Sequence, residues 1–228
     1  HGLLLTARED GRVFFVVPFA RHSLVGTTEV EAPSPPPPEA FQPSLEDPRY
    51  LQRELRRALP SAADSRPIAA FAGVRPLLRA DEAVGRASRE HRIVEEHGLV
   101  TIAGGKYTTF RNMAQHVLAH VAKRTNRKQV IRQSDEPLPA PVAEGASLEI
   151  ATRHAVAHDF ARSLEDLMRP RTLKWLEPDR GRIVARFMAA TMEKELGWSA
   201  ARTSEEIERY EATVREEEAL LTRVWEAA

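Results

Sequence analysis

The sequence predicts an α+β fold: a mixed, mostly antiparallel sheet region, acting as a cap and closing on a strand–turn–helix joint, followed by an all-α C-terminal domain. Three observations predict it. Short apolar runs separated by turn residues fill the N-terminal part of the chain, which is the signature of strands. Gly104-Gly105 stands between an apolar strand pattern and a helical one. Beyond Lys128 the composition changes, and apolar residues recur almost wholly at helical spacing. The domain boundaries that follow are 1–127 for the sheet region, 128–141 for a linker and 142–228 for the helical domain.

Leu3–Ala7 and Arg12–Pro18 read as strands around Arg8-Glu9-Asp10-Gly11, whose Asp-Gly is a strong hairpin signal. Ser23–Val30 reads as a third strand. Pro33–Pro43 is extended or polyproline II backbone, best explained as a surface loop. Pro48–Leu59 reads as a helix on the spacing of Leu51, Leu55 and Leu59, with Asp47 as N-cap and Pro60 as stop. Ile68–Leu77 is expected to be another strand, ending in a turn, and Leu99–Ala103 a further one. A helix is expected to start near Thr109 and to run through Met113, Val117, Leu118 and Val121. In the C-terminal part, Leu148–Ala157, Ala161–Met168, Gly181–Leu196 and Ser204–Trp225 carry helical periodicity. Thr203 and Glu206 have capping-box spacing for the last of these. There is no internal repeat.

Lys plus Arg and Asp plus Glu are both 33, so the net charge is zero. No global basic field draws nucleic acid to the chain. Cysteine is absent, which excludes disulfides, thiolate metal sites and cysteine nucleophiles and fits a reducing compartment. No apolar run approaches the ~20 residues of a membrane-spanning helix. The chain opens at His1 without a methionine and enters strand-like residues almost at once, so the expectation is a fragment cut from a larger fold.

The chemistry concentrates in Gly104-Gly105-Lys106-Tyr107-Thr108-Thr109-Phe110-Arg111. Glycines let backbone approach a ligand without Cβ interference. A helix N-terminus presents unpaired N–H groups and the positive end of its dipole. Lys106 adds a mobile cation. An ordinary solvated strand–helix turn fits the same residues equally well. Arg75, in Gly73-Val74-Arg75-Pro76, stands at the end of an expected strand, where it holds either an anion in its bidentate fork or an acid such as Asp81 or Glu82. Arg89 is a second candidate for the same anion, with a solvated charge run as the plainer reading. His116 and His120 have the i, i+4 spacing of a zinc helix but lack the intervening glutamate and a third ligand, and His154 with His158 is judged the same way, so no metal is expected. The cations Arg169, Arg171 and Lys174 beside Trp175 suggest either membrane docking or a helix end with its cations. The dense Glu/Arg faces of the last helix suggest either an interaction module or a solvated face.

Gly73-Val74-Arg75-Pro76-Leu77, Ser88-Arg89-Glu90-His91 and Gly104–Arg111 occur in order and at suitable spacing. Together they resemble the FAD-dependent, quinone-linked glycerol-3-phosphate dehydrogenases and the related oxidases. Arg12–Pro18 and Leu24–Glu31 resemble that family's paired upstream strands, with Glu29 where aspartate is commoner, and Ala155–Leu167 resembles its helical C-terminal domain. The resemblance implies FAD as cofactor, with Gly104, Gly105, Lys106, Tyr107, Thr108 and Thr109 approaching the flavin. It implies Arg75 and Lys106 as catalytic residues and Arg75 with Arg89 as the site of the substrate phosphate. The implied reaction oxidises glycerol 3-phosphate to dihydroxyacetone phosphate and passes electrons to a membrane quinone, or to oxygen in the oxidases. A homodimer and a cytoplasmic location with peripheral contact to the inner face of the membrane are further expectations. The family places most of its FAD-binding half, with the N-terminal glycine fingerprint, upstream of the residues present here. The chain is therefore expected to be a C-terminal portion that binds FAD poorly and does not turn over substrate alone.

Overall fold

The computed structural model describes residues 1–30, 42–75, 90–127, 140–143 and 145–226. The chain divides into two units, one of His1–Thr6, Arg12–Gln42 and Phe71–Glu136, the other of Ala7–Gly11, Pro43–Ala70 and Pro137–Ala228. Small antiparallel sheets in the first unit and several helices make the fold α+β.

In the first unit, β1 (Leu3–Thr6), β2 (Val13–Phe19) and β3 (His22–Gly26) form one antiparallel sheet in that order. The register runs Leu3↔Val16 to Thr6↔Val13 and Phe15↔Gly26 to Phe19↔His22. Pro18 sits in the central strand, where a missing N–H is usually costly. Here it opposes Ser23 next to the closing pair Phe19↔His22. Bonded and non-bonded pairs alternate in an antiparallel ladder, so the absent donor faces away from β3, beyond the last β1 pairing at Val16. The third strand is shorter than its sequence suggests: it stops at Gly26, and Thr27–Val30 is irregular.

A second antiparallel sheet pairs β4 (His91–Glu96) with β5 (Leu99–Gly104). Its turn, His97-Gly98, has φ of 51° and 82°, the two left-handed residues that a tight hairpin matching strand twist requires. Glu46–Ala58 forms α1 in the other unit; here, after β5, a single 3₁₀ turn, Tyr107–Thr109, leads into α2 (Phe110–Arg124).

The second unit holds α1, α3 (Leu148–His158), α4 (Leu164–Asp166), α5 (Arg182–Leu196) and α6 (Ala200–Glu226). Leu164, Leu167, Met168, Met188, Met192, Tyr210 and Val214 form its core, all essentially inaccessible to solvent. Each such side chain contributes roughly 1.5–3 kcal/mol by burial. Ser147 caps α3 by accepting from the Ile150 amide, and Gly197, at φ 66°, ends α5. Asp179 accepts from the amides of Ile183 and Gly181 at the start of α5. Those bonds, the Ile183 amide first, with Arg182 nearby, hold its carboxyl below the usual range. The Arg182 guanidinium does the same for Glu218. Burial pushes the Tyr210 phenol up to about 12.

Several expectations need correction. Asp47 lies in the first turn of α1, not at its cap, because Ser44 and Asp47 bond reciprocally: Ser44 Oγ accepts from the Asp47 amide at 3.2 Å and donates to its carboxylate at 2.7 Å. Thr203 and Glu206 are not a capping box. The last helix starts earlier, with Ser199 Oγ accepting from the Arg202 amide, and Glu206 is buried and accepts from the Leu164 amide. Ala161–Met168 is helical only from Leu164, and Leu167–Arg171 continues as a π turn around Pro170. Ile68–Arg75 is not a strand. Its backbone is satisfied by side chains instead: Arg180 donates to the Ile68 carbonyl and Glu217 accepts from the Ala70 amide. Pro76 and Leu77, most of the proline-rich loop and most of the 128–141 linker lie outside the described residues.

Candidate functional site

The glycine turn is built by the end of β5. Gly104 and Gly105 have φ of 77° and 88°, a left-handed pair that side chains with a Cβ rarely adopt. The Gly105 amide donates to the Glu90 carbonyl at 3.2 Å, just before β4. A Cβ on Gly105 would lie 2.5 Å from the tip of Met113 and 3.4 Å from the Cβ of His91. Lys106 then returns to extended backbone and caps the 3₁₀ turn. Thr109 closes it: its amide and hydroxyl both donate to the Lys106 carbonyl, each at 3.0 Å. The hydroxyl of Thr109 is thus engaged by its own turn, whereas Lys106, Tyr107 and Thr108 are exposed. Tyr107 is 93% exposed, its ring 6.3 Å from that of Phe110.

Polar contacts hold α2 along β4. His91 Nε2 and His116 Nδ1 are 2.8 Å apart, and Glu95 pairs with His120 at 2.9 Å and with Arg124. The histidines at i and i+4 on α2 therefore face the strand separately, one a histidine and the other a glutamate. Among the described residues no group of three or more His, Asp or Glu side chains is placed to hold a metal ion.

Arg75 does not end a buried strand. It is 42% exposed, and its Nη1 lies 2.9 Å from Glu29 Oε1. Glu29 is thus an acid partner of Arg75 among the described residues, while Asp81, Glu82 and Arg89 lie outside them. Among the described residues no hydrogen bond or ion pair joins Arg75 to the Gly104–Thr109 turn. The cations of the Arg169 cluster are engaged within the helical unit. Trp175 is buried beneath Arg169, which pairs with Glu165 and Glu217; Arg171 donates to the Asp159 carbonyl and Lys174 pairs with Glu177. Among the described residues no helix is long and apolar enough to cross a membrane.

Sequence reasoning missed the His91–His116 pair and the Arg180–Glu217 pair. The second left a signal: Glu217 falls on the apolar stripe of Tyr210, Val214, Leu221 and Val224 in α6, where an acid needs a partner.

A turn of two left-handed glycines opening onto a helix N-terminus is a geometry that can receive an anionic group. Residues 2–111, which contain the whole of it, match the family described as FAD dependent oxidoreductase. Its relatives are of the glycerol-3-phosphate dehydrogenase type. The mitochondrial glycerol-3-phosphate dehydrogenase of Macaca fascicularis is 37% identical over 56% of this chain and 18% of its own length. That of Homo sapiens is 36% identical over the same shares. Glycerol-3-phosphate dehydrogenase 2 of Mycobacterium bovis is 28% identical over 92% of this chain and 45% of its own length. The chain thus spans less than half the length of these relatives. No solved structure matches it.

The residues present fit the family's cofactor, FAD. The missing Cβ of Gly105 makes room for Met113 rather than for a ring; what fits the flavin is that Lys106 and Thr108 are exposed beside the turn and that the N-terminal dipole of α2 favours negative charge there.

Proposed function

We propose that this chain is the C-terminal portion of an FAD-dependent glycerol-3-phosphate dehydrogenase that oxidises sn-glycerol 3-phosphate to dihydroxyacetone phosphate and delivers the electrons to a membrane quinone. Residues 1–127 would complete the FAD- and substrate-binding domain and 142–228 form a helical domain. The observation that carries the reading is the Gly104–Thr109 turn, formed as a cofactor-approach geometry inside the region that matches the family.

When bound, the flavin supplies the hydride acceptor for C2 of the substrate. The chain's own residues orient and stabilise. Arg75, steadied on one side by Glu29, offers its remaining N–H groups to the substrate phosphate, with Arg89 as its partner. Lys106 brings a cation to the place where negative charge gathers, and the first amides of the turn reinforce it. Peripheral contact with the inner face of the cytoplasmic membrane would bring the quinone within reach.

The test compares the chain with the enzyme carrying its flavin-binding half. Glycerol 3-phosphate and an artificial acceptor are added to each, with oxygen uptake and quinone reduction followed separately. The longer enzyme turns over and reduces quinone; the chain alone binds FAD weakly and is inactive. Lys106→Met in the longer enzyme lowers kcat by about 10²–10³, the range for losing one electrostatic stabiliser. Robust turnover by the chain alone, or a Lys106→Met enzyme of normal rate, overturns the proposal.

A further inference from the structure

The glycine turn has two arms, the β4–β5 hairpin that enters it and the helix α2 that leaves it. Among the described residues, β4, β5 and α2 carry no fully buried side chain. Apolar burial therefore does little to fix how the helix lies on the hairpin. Polar ties hold it instead. His91 Nε2 of β4 lies 2.8 Å from His116 Nδ1 of α2. Further along the same two elements Glu95 meets His120 at 2.9 Å and also Arg124.

The histidine pair is the tie beside the glycines. His91 stands opposite Gly104 in the β4–β5 ladder. The residue before it, Glu90, accepts the Gly105 amide on its carbonyl at 3.2 Å. The Cβ of His91 is 3.4 Å from where a side chain on Gly105 would begin, and the tip of Met113, one turn before His116 on α2, occupies that place. One end of the tie is thus on the strand that holds Gly105, and the other is on the helix that follows Thr109. One imidazole N–H donates to the lone pair of the other ring, so the bond needs both nitrogens.

We propose that His91 and His116 are positioning residues for the flavin-facing turn: their nitrogen-to-nitrogen bond clamps the hairpin before the turn to the helix after it, and so holds Lys106 where negative charge gathers on the reduced cofactor. This rests on the reading of the Gly104–Thr109 turn as the flavin approach. The pair acts through Lys106 and the turn's amides. Opening the clamp lowers the fraction of molecules in which the turn is in place, by about five-fold for one ordinary net hydrogen bond. Reduced flavin draws on the placed cation more than oxidised flavin does. Its preference over the oxidised form then falls by about the same five-fold, which for a two-electron couple is about 20 mV toward lower potential.

His91→Phe and His116→Phe each keep an aromatic ring and remove its nitrogens, and the double variant removes both partners. Two readouts are taken, hydrogen exchange over residues 104–110 in this chain and the flavin reduction potential in the enzyme carrying its flavin-binding half. Each single variant should exchange about five-fold faster over 104–110, with the protection of α5 and α6 retained. The double variant should exchange no faster than either single one, because one bond can be lost only once. The potential should fall by about 20 mV in all three, and further in Lys106→Met, the reference. Unchanged exchange in the single variants, or a double variant whose effect is the product of the two, overturns the clamp. Faster exchange with an unchanged potential, where Lys106→Met lowers it, overturns the link to the flavin. A Lys106→Met enzyme of normal potential removes the flavin reading of the turn itself, and the proposal with it.

Discussion

Glu206 and Glu217 are equally buried, at 1% and 2% exposure, yet replacing them with alanine should not cost the same. Each accepts a backbone amide, from Leu164 at 2.7 Å and from Ala70 at 2.8 Å. Their cationic partners differ. Arg202 and Arg209, beside Glu206, are 38% and 54% exposed and regain water when the carboxylate goes. Glu206→Ala therefore loses a charge-assisted bond and orphans one amide, about 1.5–3 kcal/mol. Arg180, beside Glu217, is 7% exposed and cannot regain water. Glu217→Ala leaves a buried charge unpaired and should cost about 3–5 kcal/mol. At ~2–4 °C per kcal/mol for a chain of this size, that is a fall in Tm of roughly 6–20 °C. Trp175, Trp198 and Trp225 all lie in the helical unit, so tryptophan fluorescence during urea titration reads that unit alone. Equal losses, or a larger loss for Glu206→Ala, would refute the argument that partner burial decides the cost.

Further outcomes follow from the same geometry. Tyr210→Phe removes the hydroxyl bond to the Arg180 carbonyl and should cost about 1 kcal/mol by urea titration at neutral pH. Because the folded Tyr210 value is raised to about 12, its contribution is fully present below the ordinary value near ~10 and disappears as pH rises through the folded one, so Tyr210→Phe flattens the alkaline limb of a stability profile. Asp179 shows the opposite sign. Its lowered value adds stability that is present above the ordinary carboxylate range and lost as pH falls through the folded value, so Asp179→Asn flattens the acid limb measured by circular dichroism. Gly105→Ala forces a left-handed alanine, about 1–2 kcal/mol, and also displaces the Met113 tip. Gly197→Ala, at φ +66° with nothing within 4 Å, meets the backbone penalty alone, and thermal melts should show the smaller loss there.

Much of this was legible locally. The Gly104–Thr109 turn could be read because its signals are short-range: two glycines, an apolar strand before and helical periodicity after. The Asp10-Gly11 loop and the apolar stripes of α5 and α6 could be read for the same reason. The failures are long-range. Glu29 reaches Arg75, His91 meets His116, and Glu217 meets Ala70 across the chain, and no spacing rule connects such pairs. Caps failed at smaller scale: Asp47 and Ser44 compete for one helix start, as do Thr203 and Ser199 for another, and periodicity does not choose between adjacent polar residues.

The strand expected over Ile68–Leu77 is the instructive error. Its residue types were correct for extended backbone, but a strand is defined by what its edge bonds to, and that lies outside its own sequence. Apolar composition does not bury this segment, for Ile68 stays 41% and Phe71 58% exposed. Only where its edge packs against Arg180 and Glu217 are the Ile68 carbonyl and Ala70 amide partly buried, and there they must find partners or forfeit up to roughly 1–3 kcal/mol each. A neighbouring strand would satisfy them and nothing more. A buried arginine and glutamate satisfy them while tying the bond to α6 and to the residues leading into α5. The substitution of two charged side chains for a strand is costly in desolvation, and only their mutual pairing and their bonds to backbone offset it.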